Sequence, residues 1–178
     1  MNGAHEMPVL RNTAMVEQVE MNDRITGFVL KQSDYREADV ILTVLTKEYG
    51  KLSFVAQGVR KMTSKNAGSI MPYTKTEILF DYNETKTIFR LKNARCKDYY
   101  RSMHEDITAS SAAAVAAELI DVLTLQASSD MTNSDEYAFL DIVFSKLDEG
   151  YDPTLVLSLL FVDMLDLAGL LPDVDACV

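Results

Sequence analysis

Apolar residues fall on alternate positions in a series of runs between residues 25 and 94 and at helical spacing after residue 106. The alternation is clearest past Gly50, where Leu52, Phe54 and Ala56 interleave with Ser53, Val55 and Gln57. That is the period of a strand with one face in a core. Gly50 follows the run 40–46 and Lys47-Glu48-Tyr49, so it supplies the positive φ of a tight reversal. The same reading predicts strands over 25–32, 39–46, 51–59, 74–82 and 85–94. In the first, Ile25, Gly27 and Val29 face opposite to Phe28 and Leu30, and Gly27 marks a bulge or bend. In the last, Thr87, Phe89 and Leu91 oppose Lys86, Ile88, Arg90 and Lys92, and Asn83-Glu84 is a short hairpin link. Five strands with a long connector, 60–71, between the third and fourth fit a five-stranded Greek-key barrel, the OB-fold.

The pattern changes after Tyr99-Tyr100. An alanine-rich stretch, 107–125, carries Val115, Leu119, Val122 and Leu123 at helical spacing. Ser134 caps a second predicted helix over 135–147, and Gly150 suits its C-terminal turn. Asp152-Pro153 opens a third, which runs to about Ala168 before Gly169 and Pro172 stop it. The expected organisation is a poorly ordered leader over 1–20, a barrel over 21–101 and an α-helical domain over 102–178.

Charge sharpens that division. The 178 residues carry a net charge of −10, which by itself disfavours a nucleic-acid partner. Residues 21–101, however, hold 15 Lys and Arg against 9 acids, a surplus of +6, while 102–178 hold one Lys against 15 acids, or −14. Two halves of opposite sign suggest two kinds of partner. Two cysteines suit a reducing cytoplasm and exclude a disulfide scaffold. No secretory signal precedes the barrel, and the apolar stretch 155–171 contains Asp163 and Asp166, which argues against a membrane span.

The strongest candidate chemistry is cationic. Arg60, Lys61 and Lys65 lie in the connector, and Lys86, Arg90 and Lys92 share one face of the fifth strand. Such side chains displace counterions from phosphates; the plainer reading is a solvated strand face and a soluble loop. Tyr35 and Arg36 sit between the first two strands, in a loop that OB-folds use for ligands. Tyr35 could stack a base, or close the barrel end with Arg36 paired to Glu37 or Asp39. Phe54 and Tyr82 read as core. Leu155, Leu159, Phe161 and Leu165 read as helix core, with a groove for a partner's tail as the alternative. Cys96 reads as a strand-end residue. Catalysis is not indicated, because the chain lacks a phosphate loop, a Gly-x-Ser-x-Gly elbow and a His-Glu-x-x-His pair.

Several local sequences together resemble the RecO family of bacterial recombination mediators. They are Gly27-Phe28-Val29-Leu30, Tyr35-Arg36-Glu37-Ala38-Asp39, Gly50-Lys51-Leu52, Gly58-Val59-Arg60-Lys61, Pro72-Tyr73 and Leu167-Ala168-Gly169-Leu170-Leu171-Pro172-Asp173, followed by Cys177. The resemblance runs from Ile25 to the end. It implies an OB-fold that binds single- and double-stranded DNA and anneals complementary strands. It also implies work with RecR to load RecA onto DNA coated by single-strand-binding protein, whose acidic C-terminal tail is contacted. Many members carry a zinc site of paired cysteines in the helical region. That pattern would begin at Cys177, with no further ligand before Val178, and neither His5 nor His104 is spaced to help. No cofactor is therefore expected, and the helical domain reads as incomplete. A protein-interaction adaptor with little DNA affinity, and a non-functional truncated remnant, are the competing readings.

Overall fold

The structure, a computed structural model, describes residues 22–61, 64–83, 85–126, 133–167 and 170. The expected leader and Cys177 lie outside them. Six strands come first: β1 (Asn22–Asp34), β2 (Val40–Thr46), β3 (Gly50–Ala56), β4 (Lys75–Asp81), β5 (Ile88–Arg90) and β6 (Asn93–Asp98). A single 3-10 turn, Ala67–Ser69, interrupts the connector between β3 and β4. Four helices follow: α1 (Arg101–Glu105), α2 (Ile107–Gln126), α3 (Asn133–Asp148) and α4 (Pro153–Leu167). This is the expected OB-fold followed by helices.

The sheet runs β5-β3-β2-β1-β4-β6. The predicted fifth strand is one strand bent in two. Its first half, β5, pairs in parallel with β3 from Ser53↔Ile88 to Val55↔Arg90. Its second half, β6, pairs antiparallel with β4. At the bend, Leu91 N–H donates to Val55 O at 3.0 Å and Lys92 N–H to Leu79 O at 2.9 Å, so the chain steps from one sheet edge to the other and closes the barrel. The segment after β4 is therefore not a hairpin link, because β5 pairs with β3 instead. Gly50, at φ 63°, makes the expected reversal between β2 and β3.

Inside, Phe54, Phe80 and Phe89 meet at ring distances of 5.2 to 5.9 Å, surrounded by Ile25, Val29, Leu42 and Ile78. Aromatic rings so spaced add to the burial of their area. The bulge in β1 falls at Leu30 rather than at the expected Gly27, because Val29 pairs with Val44 and Lys31 with Thr43. Gly27 serves another purpose. A Cβ there would stand 2.5 Å from Val44 Cγ1 and 2.7 Å from Leu45 O, so the bare backbone lets β1 and β2 approach.

The outer face of the sheet is also buried where the helices cover it. Phe28, Leu30 and Leu45 join Met103, Ile120, Leu140 and Phe144 in a second apolar cluster. Of the apolar residues at helical spacing in α2, Val115 and Val122 are exposed and Leu119 packs partly against the cluster, so they do not make up the fully buried face. It consists of Ala109, Ala112, Ala113, Ala116, Ala117 and Ile120. Small side chains let the helix lie close to its neighbours. Asp106 caps α2, accepting from the N–H groups of Thr108 and Ala109 at 2.7 and 2.8 Å. Asp152 caps α4 as expected, through Leu155 N–H. By contrast α3 begins at Asn133, which places Ser134 inside the helix rather than at its cap.

Two lysines of the barrel are held by the acidic half. Lys51 Nζ donates to both the carboxylate and the carbonyl of Asp121 at 2.8 Å, and Lys75 Nζ bonds Asp141 at 2.9 and 3.0 Å. Beside this joint Glu136 is buried, and its Oε2 has no hydrogen-bond partner. Desolvation, helped by Asp135 and opposed by Lys51, raises its carboxyl pKa above the usual 4.5. The folded state then holds the proton more tightly than the unfolded chain, so stability falls as pH rises above that value. We expect Glu136→Gln to raise stability at pH 7 by about 1 kcal/mol, or about 2–4 °C in Tm. The gain should shrink as pH is lowered towards 5, as followed by thermal melts across that range.

Candidate nucleic-acid interface

The bend in the fifth strand decides which side chains face outward. From Lys86 to Lys97 the exposed positions are Lys86 and Thr87, which precede the strand, then Ile88, Arg90, Lys92, Asn93, Arg95 and Lys97. Phe89, Leu91 and Ala94 point into the core, and Cys96 is half-buried. Lys92 and Asn93 are both exposed because the bend resets the alternation. The outer side of one bent strand thus carries four cations, with a fifth, Lys86, in the segment that leads into it. Arg95 and Lys97 escape a sequence reading that ends the strand at Ala94, although the same alternation continues through them after a one-residue shift.

The bend also divides the residues expected to share a face. Lys86 and Arg90 border a groove of about 280 Å³ that includes Tyr35, Arg36, Val55, Gln57, Ile88 and Phe89, with no carboxylate in its lining. Lys92 is turned towards β4, where its Nζ pairs with Asp81 at 2.6 Å. On the β6 side, Lys97 lies 3.0 Å and Arg24 3.6 Å from Glu77. The Lys97 hydrogen bond, with Arg24 and Arg95 nearby, holds the Glu77 carboxyl below the usual range. One acid thus stands among three cations, which leaves a positive excess on that flank.

Of the two alternatives for the β1–β2 loop, the barrel-closing one does not describe it. Tyr35 does not close the barrel, being 48% exposed. The Arg36 guanidinium lies 5.0 Å above the Tyr35 ring, and Asp39 accepts instead from Gly58 N–H at 2.8 Å. In the connector, Arg60 pairs with Asp34 at 2.9 Å, while Lys61 and Lys65 are exposed without a carboxylate partner among the described residues. Phe54 is fully buried, as expected. Tyr82 is not core. It is 38% exposed and stacks on Phe89 at 5.7 Å.

In α4 the expected core residues Leu155, Leu159, Phe161 and Leu165 are exposed, and Val156 and Leu160 make the packing contacts. The helix is turned by about a hundred degrees from the expected phase. A cavity of about 290 Å³ opens between α3 and α4 beside Ile142, Leu155 and Leu159. Among the described residues no three His, Cys, Asp or Glu side chains group to hold a metal ion. Cys96 sits within β6 rather than at its end, and burial pushes its thiol pKa up. No helix among the described residues is long and apolar enough to cross a membrane.

Two family descriptions together match most of the chain: recombination protein O N terminal over residues 21–100, and recombination protein O C terminal over 104–178. The chain belongs to the RecO family. Among similar proteins, the DNA repair protein RecO of Listeria monocytogenes serovar 1/2a is 28% identical over 155 residues, 87% of this chain and 59% of its own length. Those of Bacillus subtilis and Bacillus velezensis are 29% and 30% identical over 158 and 160 residues, each covering 89% of this chain and 60% of their own. The chain therefore spans about six-tenths of the length of these curated RecO relatives. The first RecO match covers the barrel with its bent fifth strand, and the second covers the helices.

Proposed function

We propose that this RecO-family chain acts in DNA repair by binding DNA along the bent fifth strand and bringing complementary strands together, without catalytic chemistry. The observation that carries the reading is the run of outward cations on β5 and β6, extended by Arg36 at one end and Arg24 at the other. Neutralising phosphates on such a surface lowers the repulsion between two approaching strands. Arg60, Lys61 and Lys65 lie in the neighbouring connector and can extend the contact. Family resemblance supports the partners: RecR, and the acidic tail of single-strand-binding protein, in the loading of RecA. The acidic helices repel DNA and confine it to the barrel, which a chemical footprint of lysine and carboxylate protection on both halves tests.

Titration of a labelled single strand across a salt series tests the binding. Arg36, Lys86, Arg90 and Arg95 make no ion pair among the described residues, and four such contacts give a slope of log affinity against log salt of about −3. A flat salt response would favour the second reading, an adaptor. The exposed Leu155, Leu159, Phe161 and Leu165 support that alternative, because apolar docking is insensitive to salt in this range.

A further inference from the structure

We infer that the groove between the β1–β2 loop and β5 is a slot for one unpaired nucleobase, so that the surface recognises single strands by their bases as well as their phosphates. This rests on the DNA-binding reading above and adds a subsite to it. The starting observation is an anomaly in the cationic row: between Lys86 and Arg90 stands Ile88, 45% exposed. Across the groove stands Tyr35, 48% exposed, with Arg36 over one face of its ring at 5.0 Å. Val55 and buried Phe89 complete an apolar floor, and the cavity between them measures about 280 Å³.

The ligand this lining fits has flat apolar faces, a polar edge and an anionic backbone. Ile88 and Tyr35 offer surfaces for the faces, and Lys86 and Arg90, two positions to either side of Ile88, offer charges for flanking phosphates. Gln57 lines the same groove, and its side-chain amide has no hydrogen-bond partner among the described residues. An amide carries both a donor and an acceptor, so by turning over it meets the edge of any base. The slot is therefore tolerant of sequence, as the pairing of arbitrary complementary strands requires. A base within a duplex has its faces stacked and its edge paired, so it cannot enter. An acidic peptide would satisfy the cations but leave the floor and the amide unused.

The test uses the full chain and three labelled probes: a mixed-sequence single strand, the same strand with abasic sites through its centre, and the duplex. Stacking of one base at about 1–3 kcal/mol predicts that the intact strand binds about tenfold more tightly than the abasic one. Tyr35→Ala should bring that ratio close to one with the salt slope unchanged. Arg90→Ala should reduce the slope by about 0.7 and keep the ratio. Both side chains are exposed, so neither change removes core packing. Equal binding of intact and abasic strands, with the salt slope present, overturns the slot and leaves the phosphate surface standing. A Tyr35→Ala variant that weakens both probes equally overturns it as well. Binding of no probe in a salt-dependent way removes the phosphate reading and the slot together.

Discussion

With Lys86, Arg90 and Arg95 replaced together by alanine, affinity for single-stranded DNA at 0.1 M salt should fall about a hundredfold and the salt slope should shrink by about 2. Each cation that neutralises a phosphate on a single strand contributes about 0.7 to that slope, and so about 0.7 decades of affinity between 1 M and 0.1 M salt. Arg90 and Arg95 lie on the bent strand, one on each side of the bend, and Lys86 lies just before the strand. All three side chains are exposed, so the melting temperature should stay within a few degrees of wild type. The comparison that gives the result meaning is Lys51→Ala. Lys51 is equally basic in sequence but is bound to Asp121 at 2.8 Å, so its loss should weaken the joint between barrel and helices and leave the salt slope unchanged. Anisotropy titrations at four salt concentrations, with denaturation of each variant, separate the two effects. An unchanged slope in the triple variant would place any DNA site elsewhere.

The largest expected effect on stability comes from a single methyl group. Gly27→Ala places a Cβ 2.5 Å from Val44 Cγ1 and 2.7 Å from Leu45 O. The valine could turn aside, but the carbonyl belongs to β2 and can yield only if the strand moves. Overpacking that displaces backbone costs about 3 kcal/mol, equivalent to about a 150-fold loss in the folding equilibrium. Gly68→Ala is the matched control, since a Cβ there meets nothing within 4 Å. Urea denaturation should show a lower midpoint for Gly27→Ala and no more than a small change for Gly68→Ala. Equal midpoints would mean that β1 and β2 have slack which their close approach conceals.

How much of this was legible in the chain depends on whether the signal was local. Period-2 alternation identifies β1 to β4 because each strand's own residues record its two faces. The Asp152-Pro153 start of α4 reads correctly for the same reason, since a cap is made by neighbours in sequence. The bend at Leu91-Lys92 is different. It is defined by hydrogen bonds to Val55 and Leu79, and no local residue pattern names those partners. Ending the strand at Ala94 therefore lost Arg95 and Lys97 from the candidate surface. The packed faces of α2 and α4 are not marked by apolar size. In α2 it is the alanines that pack, and in α4 larger residues such as Leu159 remain outside. Net charge was the other partial guide. The basic surplus in 21–101 is real, but Lys51 and Lys75 spend theirs on Asp121 and Asp141, which only the contact between halves reveals.

The two halves of the bent strand are also unequal in how extensively they are paired. Three residue pairs join β5 to β3, whereas β6 is held to β4 by a ladder from Leu79↔Asn93 to Lys75↔Asp98. A short ladder with exposed flanks opens more often than a longer one. Arg90 thus sits on the shorter ladder, with Lys86 just before it, while Arg95 and Lys97 sit on the longer one. A strand of DNA lying along both would be gripped firmly at one end and loosely at the other. Release would then be expected to begin at the Lys86 end and travel towards Lys97.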